Sequence, residues 1–155
     1  MNRYRRVMWA VVFLVLIGML MCVMDARAEE VNMDIVIQIE SGGNPNAYNK
    51  DSGAIGLCQI TPVVLKEWNK SGQIPFLERG LYKPEVNRPI GDWYMNTRIP
   101  QMLKAYKIPD TIDNRLISYN AGIKVCKDYH RGKIKRLPRE TVNYLKKYHK
   151  LEKGG

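Results

Sequence analysis

Histidine is scarce in this chain. Only His130 and His149 occur in 155 residues, and both lie in lysine-rich stretches. No spacing of His, Cys, Asp and Glu matches a metal site, so neither a bound metal nor a His-based nucleophile is expected. Cysteine is nearly as rare, with Cys22, Cys58 and Cys126 alone. No internal repeat is present, and no stretch alternates apolar and polar residues over the length of a strand. Solenoids and sheet-built domains are thereby set aside. No motif that reads DNA or RNA is present either. The basic cluster from Arg131 to Arg139 is interrupted by Gly132 and Pro138, which suits a loop rather than a groove-reading helix. Nucleic acid is not expected as a partner.

Acidic residues are in deficit, 15 against 25 lysines and arginines, giving a net charge of +10. Long apolar runs are also few. The main one extends from Val7 to Met24, behind Arg3, Arg5 and Arg6 and ahead of Ala26-Arg27-Ala28. A positive end, an apolar run and a small-x-small triplet are the parts of a secretory leader. Residues 1–28 are therefore expected to be a signal peptide, with residues 29–155 the working domain. The alternative is an uncleaved anchor, since the run is about as long as the shortest spanning helix. A lipoprotein is disfavoured, because bulky Met19-Leu20-Met21 precedes Cys22. Both readings send the domain across the membrane. It is expected to be periplasmic or otherwise exported, held at the inner membrane only if the leader stays. Residues 1–28 carry four arginines and one aspartate, so the +10 falls to +7 for the rest. A basic exported domain suits an anionic partner such as a cell-wall polymer. Cys58 and Cys126 then face an oxidising compartment, either as a disulfide or as two buried thiols.

After the leader the sequence reads as helix. Apolar residues at 31, 35, 36 and 39, with Asn32 as N-cap, predict a helix from Val31 to Ser41 that Gly42-Gly43 ends. Thr61-Pro62 opens a second, Pro62 to Asn69, and Ser71 to Pro84 is loop. A third helix covers Ile90 to Tyr106, interrupted near Pro100. Others run from Ile108-Pro109-Asp110 to Ala121, from Ile123 to His130, and from Leu137-Pro138 to about Leu151. The fold class is all-α, mainly helical, in one domain.

One feature stands out chemically. Glu40 is a carboxylate inside an apolar run, at the last turn of its helix. The negative end of the helix dipole and its apolar neighbours both disfavour the ionised form. Three further stretches combine polar groups with tight backbone demands: Gly53 through Gln59, Ser118 through Gly122, and Glu140 through Tyr144. Singly, each has an ordinary structural explanation as a frayed end, a cap, a core aromatic or a helix stop.

Together, in this order, they resemble the catalytic domain of the family 1 lytic transglycosylases, which share a lysozyme-like fold with goose-type lysozyme. That family carries Glu-Ser, Gly-Ala-x-Gly-Leu-Met-Gln, Ala-Tyr-Asn-Ala-Gly and Glu-Thr-x-x-Tyr-Val. This chain has Glu40-Ser41, Gly53 to Gln59, Ser118 to Gly122 and Glu140 to Leu145, over roughly residues 31–151. Cys58 stands in place of Met, Ser118 of Ala and Leu145 of Val.

The resemblance implies a peptidoglycan enzyme that uses a single acid, without cofactor or metal. Glu40 would protonate the oxygen between N-acetylmuramic acid and N-acetylglucosamine. It would then deprotonate the muramoyl 6-hydroxyl, closing a 1,6-anhydro ring without water. Ser41 would orient Glu40 or the glycan. Gln59, Tyr119 and Asn120 would line the cleft, and Tyr144 would direct its hydroxyl to Glu40 or the N-acetyl group. Glu140 reads as a helix-start residue. The substrate would be peptidoglycan strands, and a small enzyme of this sort suits a secretion or conjugation apparatus that crosses the wall. Two rivals remain. A lysozyme-type hydrolase would need a water-positioning base, for which Asp51 and Asp92 are the nearest candidates. A non-catalytic wall-binding or assembly protein would not need Glu40.

Overall fold

The computed structural model describes residues 29–154. The expected leader, the anchor alternative and Cys22 lie outside them. Among the described residues, no helix is long and apolar enough to cross a membrane.

Helix α1 (Met33–Glu40) starts where Asn32 Oδ1 accepts the Asp34 amide at 2.9 Å. A hairpin of two short antiparallel strands follows, β1 (Tyr48–Asn49) and β2 (Ala54–Ile55), pairing Tyr48 with Ile55 and Asn49 with Ala54. Sequence alternation could not reveal strands of two residues. Helix α2 (Pro62–Lys70) begins as predicted, with the Thr61 hydroxyl accepting from Val64 N and proline in the first turn. The loop beyond it holds one 3-10 turn, Glu78–Tyr82.

The third predicted helix begins earlier than expected. Helix α3 covers Pro84–Trp93, a π-helical turn covers Tyr94–Arg98, and α4 covers Ile99–Ala105. Pro84 serves at a first turn, where its missing N–H costs nothing, although in sequence it reads as loop punctuation. Pro89 lies inside α3 on an exposed position. The interruption expected at Pro100 takes the form of the π turn, because proline cannot donate to the carbonyl four residues back. Helix α5 (Ile112–Ala121) starts at Thr111 and stops at Gly122, whose φ of +85° suits glycine. Helices α6 (Ile123–His130) and α7 (Arg139–Gly154) complete the domain.

Helix α5 is the spine. It packs against α4, α6 and α7, and α1 leans on α7. Leu116 of α5, Val36 of α1, Ile90 of α3 and Leu103 of α4 are all fully buried. The chain entering α1 is pinned from the side. Asn96 accepts from Val31 N at 3.0 Å, and the nearly buried Arg115 makes a forked pair with Asp110 while reaching the Glu29 carbonyl. The architecture is the mainly helical single domain expected. Its role for the site is to bring the end of α1, the hairpin loop, the end of α5 and the start of α7 together.

Candidate active site

Glu40 closes α1. The amides of Ser41 and Gly42 bond back to Ile37 and Gln38, and Gly42 and Gly43 turn the chain away with φ of +62° and +81°. The carboxyl is left half-buried, beside Ile39 and above buried Ile37. Burial pushes its pKa from 4.5 up to about 7. The Tyr144 hydroxyl partly opposes that shift, and the negative charge of Glu140 adds to it.

Tyr144, on α7, is only 5% exposed, and its hydroxyl has no partner in hydrogen-bonding geometry among the described residues. It lies close enough to Glu40 that burial, followed by the acid's charge, holds the phenol far above its ordinary range. A buried hydroxyl without a partner is costly for folding alone.

The hairpin loop is held with unusual tightness. Ile55 and Ile60 exchange backbone bonds of 3.1 and 3.0 Å, so residues 56–59 form a closed turn. Gln59 takes φ of +48°, a left-handed conformation uncommon outside glycine. Its Nε2 donates to Gly56 O at 3.0 Å and to Ala47 O at 3.4 Å, so the amide nitrogen is held by the loop itself. Gly56 is required by contact as well as by its φ of +79°. A Cβ there would lie 2.3 Å from Asn87 Nδ2 and 2.4 Å from Leu81 O.

Asn87, fully buried on α3, was not singled out in the sequence. Its Oδ1 accepts from Cys58 N at 2.8 Å, and its Nδ2 donates to Ile55 O and Leu81 O, both at 2.8 Å. A lone asparagine between two prolines gave no local sign of this duty.

Two of the expected site residues make their contacts with the protein backbone. The Ser41 hydroxyl lies 2.8 Å from Leu57 O and 3.2 Å from Ile37 O, so its proton is held by protein carbonyls. It fastens the end of α1 to the hairpin loop. Tyr119 donates its hydroxyl to Cys58 O at 2.7 Å and stacks near Tyr94, supporting the loop from behind. It does not line the groove.

Cys58 and Cys126 are free and buried, so of the two alternatives the disulfide is not formed. They face different helices. Cys58 packs where a Cβ on Gly91 of α3 would approach within 2.6 Å of its sulfur, and Cys126 directs its thiol at Asn114 O on α5 at 3.8 Å. Burial pushes Cys58 to about 12 and raises Cys126 as well, which makes both unreactive.

Glu40, Gln59, Asn120 and Tyr144 line one groove of about 730 Å³. Asn49, Arg139, Glu140, Asn143, Lys146 and Lys147 also line it. With Tyr144 placed, helical spacing alone would have found Glu140, Asn143 and Lys147, since 140, 143, 144 and 147 share a face. Neither Asp51 nor Asp92 lines the groove, and Asp92 instead accepts from Asn96 at 3.0 Å. Among the described residues, no three His, Cys, Asp or Glu side chains gather to hold a metal.

Comparison with known proteins agrees with the family resemblance. The curated "Endo-type membrane-bound lytic murein transglycosylase A" of Cronobacter sakazakii (strain ATCC BAA-894) is 31% identical over 128 residues, 74% of this chain and 62% of that one. The chain thus spans about 62% of that relative's length. A family model described as "Transglycosylase SLT domain" matches residues 24–141, which include Glu40, the Gln59 loop and Asn120. Tyr144 lies beyond the matched span and stands on its geometry. With well over half its length matched, and with the mainly helical, lysozyme-like fold in place, this chain belongs to the transglycosylase SLT domain family.

Proposed function

We propose that this protein is a peptidoglycan lytic transglycosylase in which Glu40 serves as both acid and base. The observation that carries the reading is the half-buried Glu40 carboxyl, pushed up to about 7, at the floor of a groove with Gln59, Asn120 and Tyr144. Near neutral pH such an acid is partly protonated and can both give and take a proton.

Glu40 donates its proton to the glycosidic oxygen between N-acetylmuramic acid and N-acetylglucosamine. The bond from that oxygen to the muramoyl C1 breaks, and the substrate's N-acetyl oxygen stabilises the cationic carbon. The ionised Glu40 then removes the proton of the 6-hydroxyl, whose oxygen bonds to C1. The products are a free 4-hydroxyl and a 1,6-anhydro end, with no water consumed. Gln59 and Asn120 offer amide groups to the N-acetyl side chains. The Tyr144 hydroxyl offers a donor to the ionised Glu40.

A water-using glycosidase needs a second carboxylate across the cut. Glu140 is the other carboxylate lining the groove among the described residues, and it favours keeping hydrolysis as the second reading. Its position in the first turn of α7 suits helix capping and charge tuning better. The leader and basic balance seen in the sequence support action on the wall outside the cytoplasm. The same reading suggests local wall opening for an envelope-spanning secretion or conjugation apparatus.

Mass spectrometry of soluble products from purified walls tests the proposal. Anhydro-muramoyl ends are expected, and Glu40→Gln should release none while still binding the wall. Reducing ends would replace this reading with hydrolysis. A fully active Glu40→Gln protein would overturn the site.

A further inference from the structure

The wall of the groove formed by α7 is cationic. Arg139, Lys146 and Lys147 all line it and are exposed, and among the described residues none makes an ion pair. Elsewhere in the fold Arg88, Arg98, Arg115 and Lys124 each lie 2.6 Å from a carboxylate, while Lys66, Lys70 and Arg79, outside the groove, are also without an ion pair among the described residues. Among the described residues, the acids that line the groove are Glu40 and Glu140.

The three cations bracket Tyr144 along one helix. Arg139 lies five residues before it and Lys147 three after, about 7.5 and 4.5 Å along the axis. They therefore flank the point where Glu40 works.

If the groove holds a glycan strand, as proposed above, that strand gives these cations nothing to bind. Both sugars carry neutral N-acetyl groups, and the muramoyl lactyl carboxyl is tied up in an amide with the peptide. The carboxylates of the polymer lie on the peptide stems, which leave the strand at the muramoyl units on either side of a cut.

We propose that Arg139, Lys146 and Lys147 form a recognition edge for the stem carboxylates, so that the enzyme selects peptide-bearing strands over strands without charged stems. This inference rests on the glycan reading of the groove. The edge acts on binding, and Glu40 on bond cleavage.

The test uses soluble strands in two forms, both with amines acetylated, one with stem carboxylates converted to methylamides. Binding is measured with the full chain carrying Glu40→Gln, so that the polymer stays intact. Native strands should bind about tenfold more tightly than neutralised ones, the sum of three exposed charge pairs. Adding Arg139→Gln, Lys146→Gln and Lys147→Gln should remove that difference. Adding Lys66→Gln, Lys70→Gln and Arg79→Gln, which removes the same charge outside the groove, should keep it. Equal affinity for the two strands overturns the edge, as does a difference that survives the groove variant or vanishes in the control. The three single variants serve if the combined one unfolds. Product analysis of the wild type is read separately: missing anhydro ends overturn the reaction and leave the binding result to judge the edge.

Discussion

The phenol of Tyr119 reaches across 61 residues to donate a 2.7 Å hydrogen bond to the carbonyl of Cys58. It ties the end of α5 to the loop that presents Gln59. Burial holds this phenol well above its ordinary range, so it remains a donor throughout the working range of pH. Tyr119→Phe leaves the Cys58 carbonyl without that donor and should cost about 1–3 kcal/mol. Urea unfolding should give a lower midpoint with an unchanged slope. A midpoint equal to wild type would mean that the loop is fixed without the bond.

The raised acid also costs stability. Glu40 titrates near 4.5 when unfolded and at about 7 when folded. The folded state therefore binds more protons between those values, and stability falls as pH rises from about 4.5 to about 7, then levels. Glu40→Gln removes the titration. The variant should match wild type near pH 4 and exceed it near pH 8, by on the order of 3 kcal/mol. Thermal unfolding at both pH values checks this, and a constant difference would contradict it.

Glu140 and Tyr144 act on Glu40 with opposite sign, Glu140 raising its pKa and Tyr144 lowering it. In pH profiles of kcat/KM, the alkaline limb reports loss of the protonated acid. Glu140→Gln should move that limb to lower pH and keep most activity. Tyr144→Phe should move it to higher pH and lower the rate. Removing a buried hydroxyl that has no partner should leave stability unchanged or raise it, by about 0–2 kcal/mol. Shifts in the same direction would refute this electrostatic account.

The Gly56–Asn87 contact is the structural keystone of the loop. Gly56→Ala puts a Cβ at 2.3 Å from Asn87 Nδ2 on a backbone with φ of +79°, and should cost about 2–4 kcal/mol. Asn87→Ala deprives Cys58 N, Ile55 O and Leu81 O of their partner, and should cost about 3 kcal/mol or more. Differential scanning calorimetry measures both. A wild-type melting temperature in either variant would show that the loop relaxes without loss.

The helices were readable wherever a cap coincided with apolar spacing. Asn32, Thr61-Pro62 and Gly122 mark boundaries in sequence that the structure keeps. Reading failed where one residue type serves two purposes. Pro84 opens α3 yet resembles a loop residue, and the two-residue strands are too short for any period to register. Glu40 was visible because an acid in an apolar run is locally anomalous. Arg139, Lys146 and Lys147 were not, because a lysine-rich helix reads as a solvated face until its groove side is known.

By itself, then, the sequence determined the helical class, the acid and the order of the four motifs, since caps, spacing and composition act between near neighbours. Tertiary structure decided which polar groups face the groove and which brace it. It turned Ser41 and Tyr119 inward, brought Asn87 to the Gly56 loop and kept the two thiols apart. Each of those outcomes depends on a hydrogen bond or a contact between residues distant in the chain, and no local pattern encodes such a meeting.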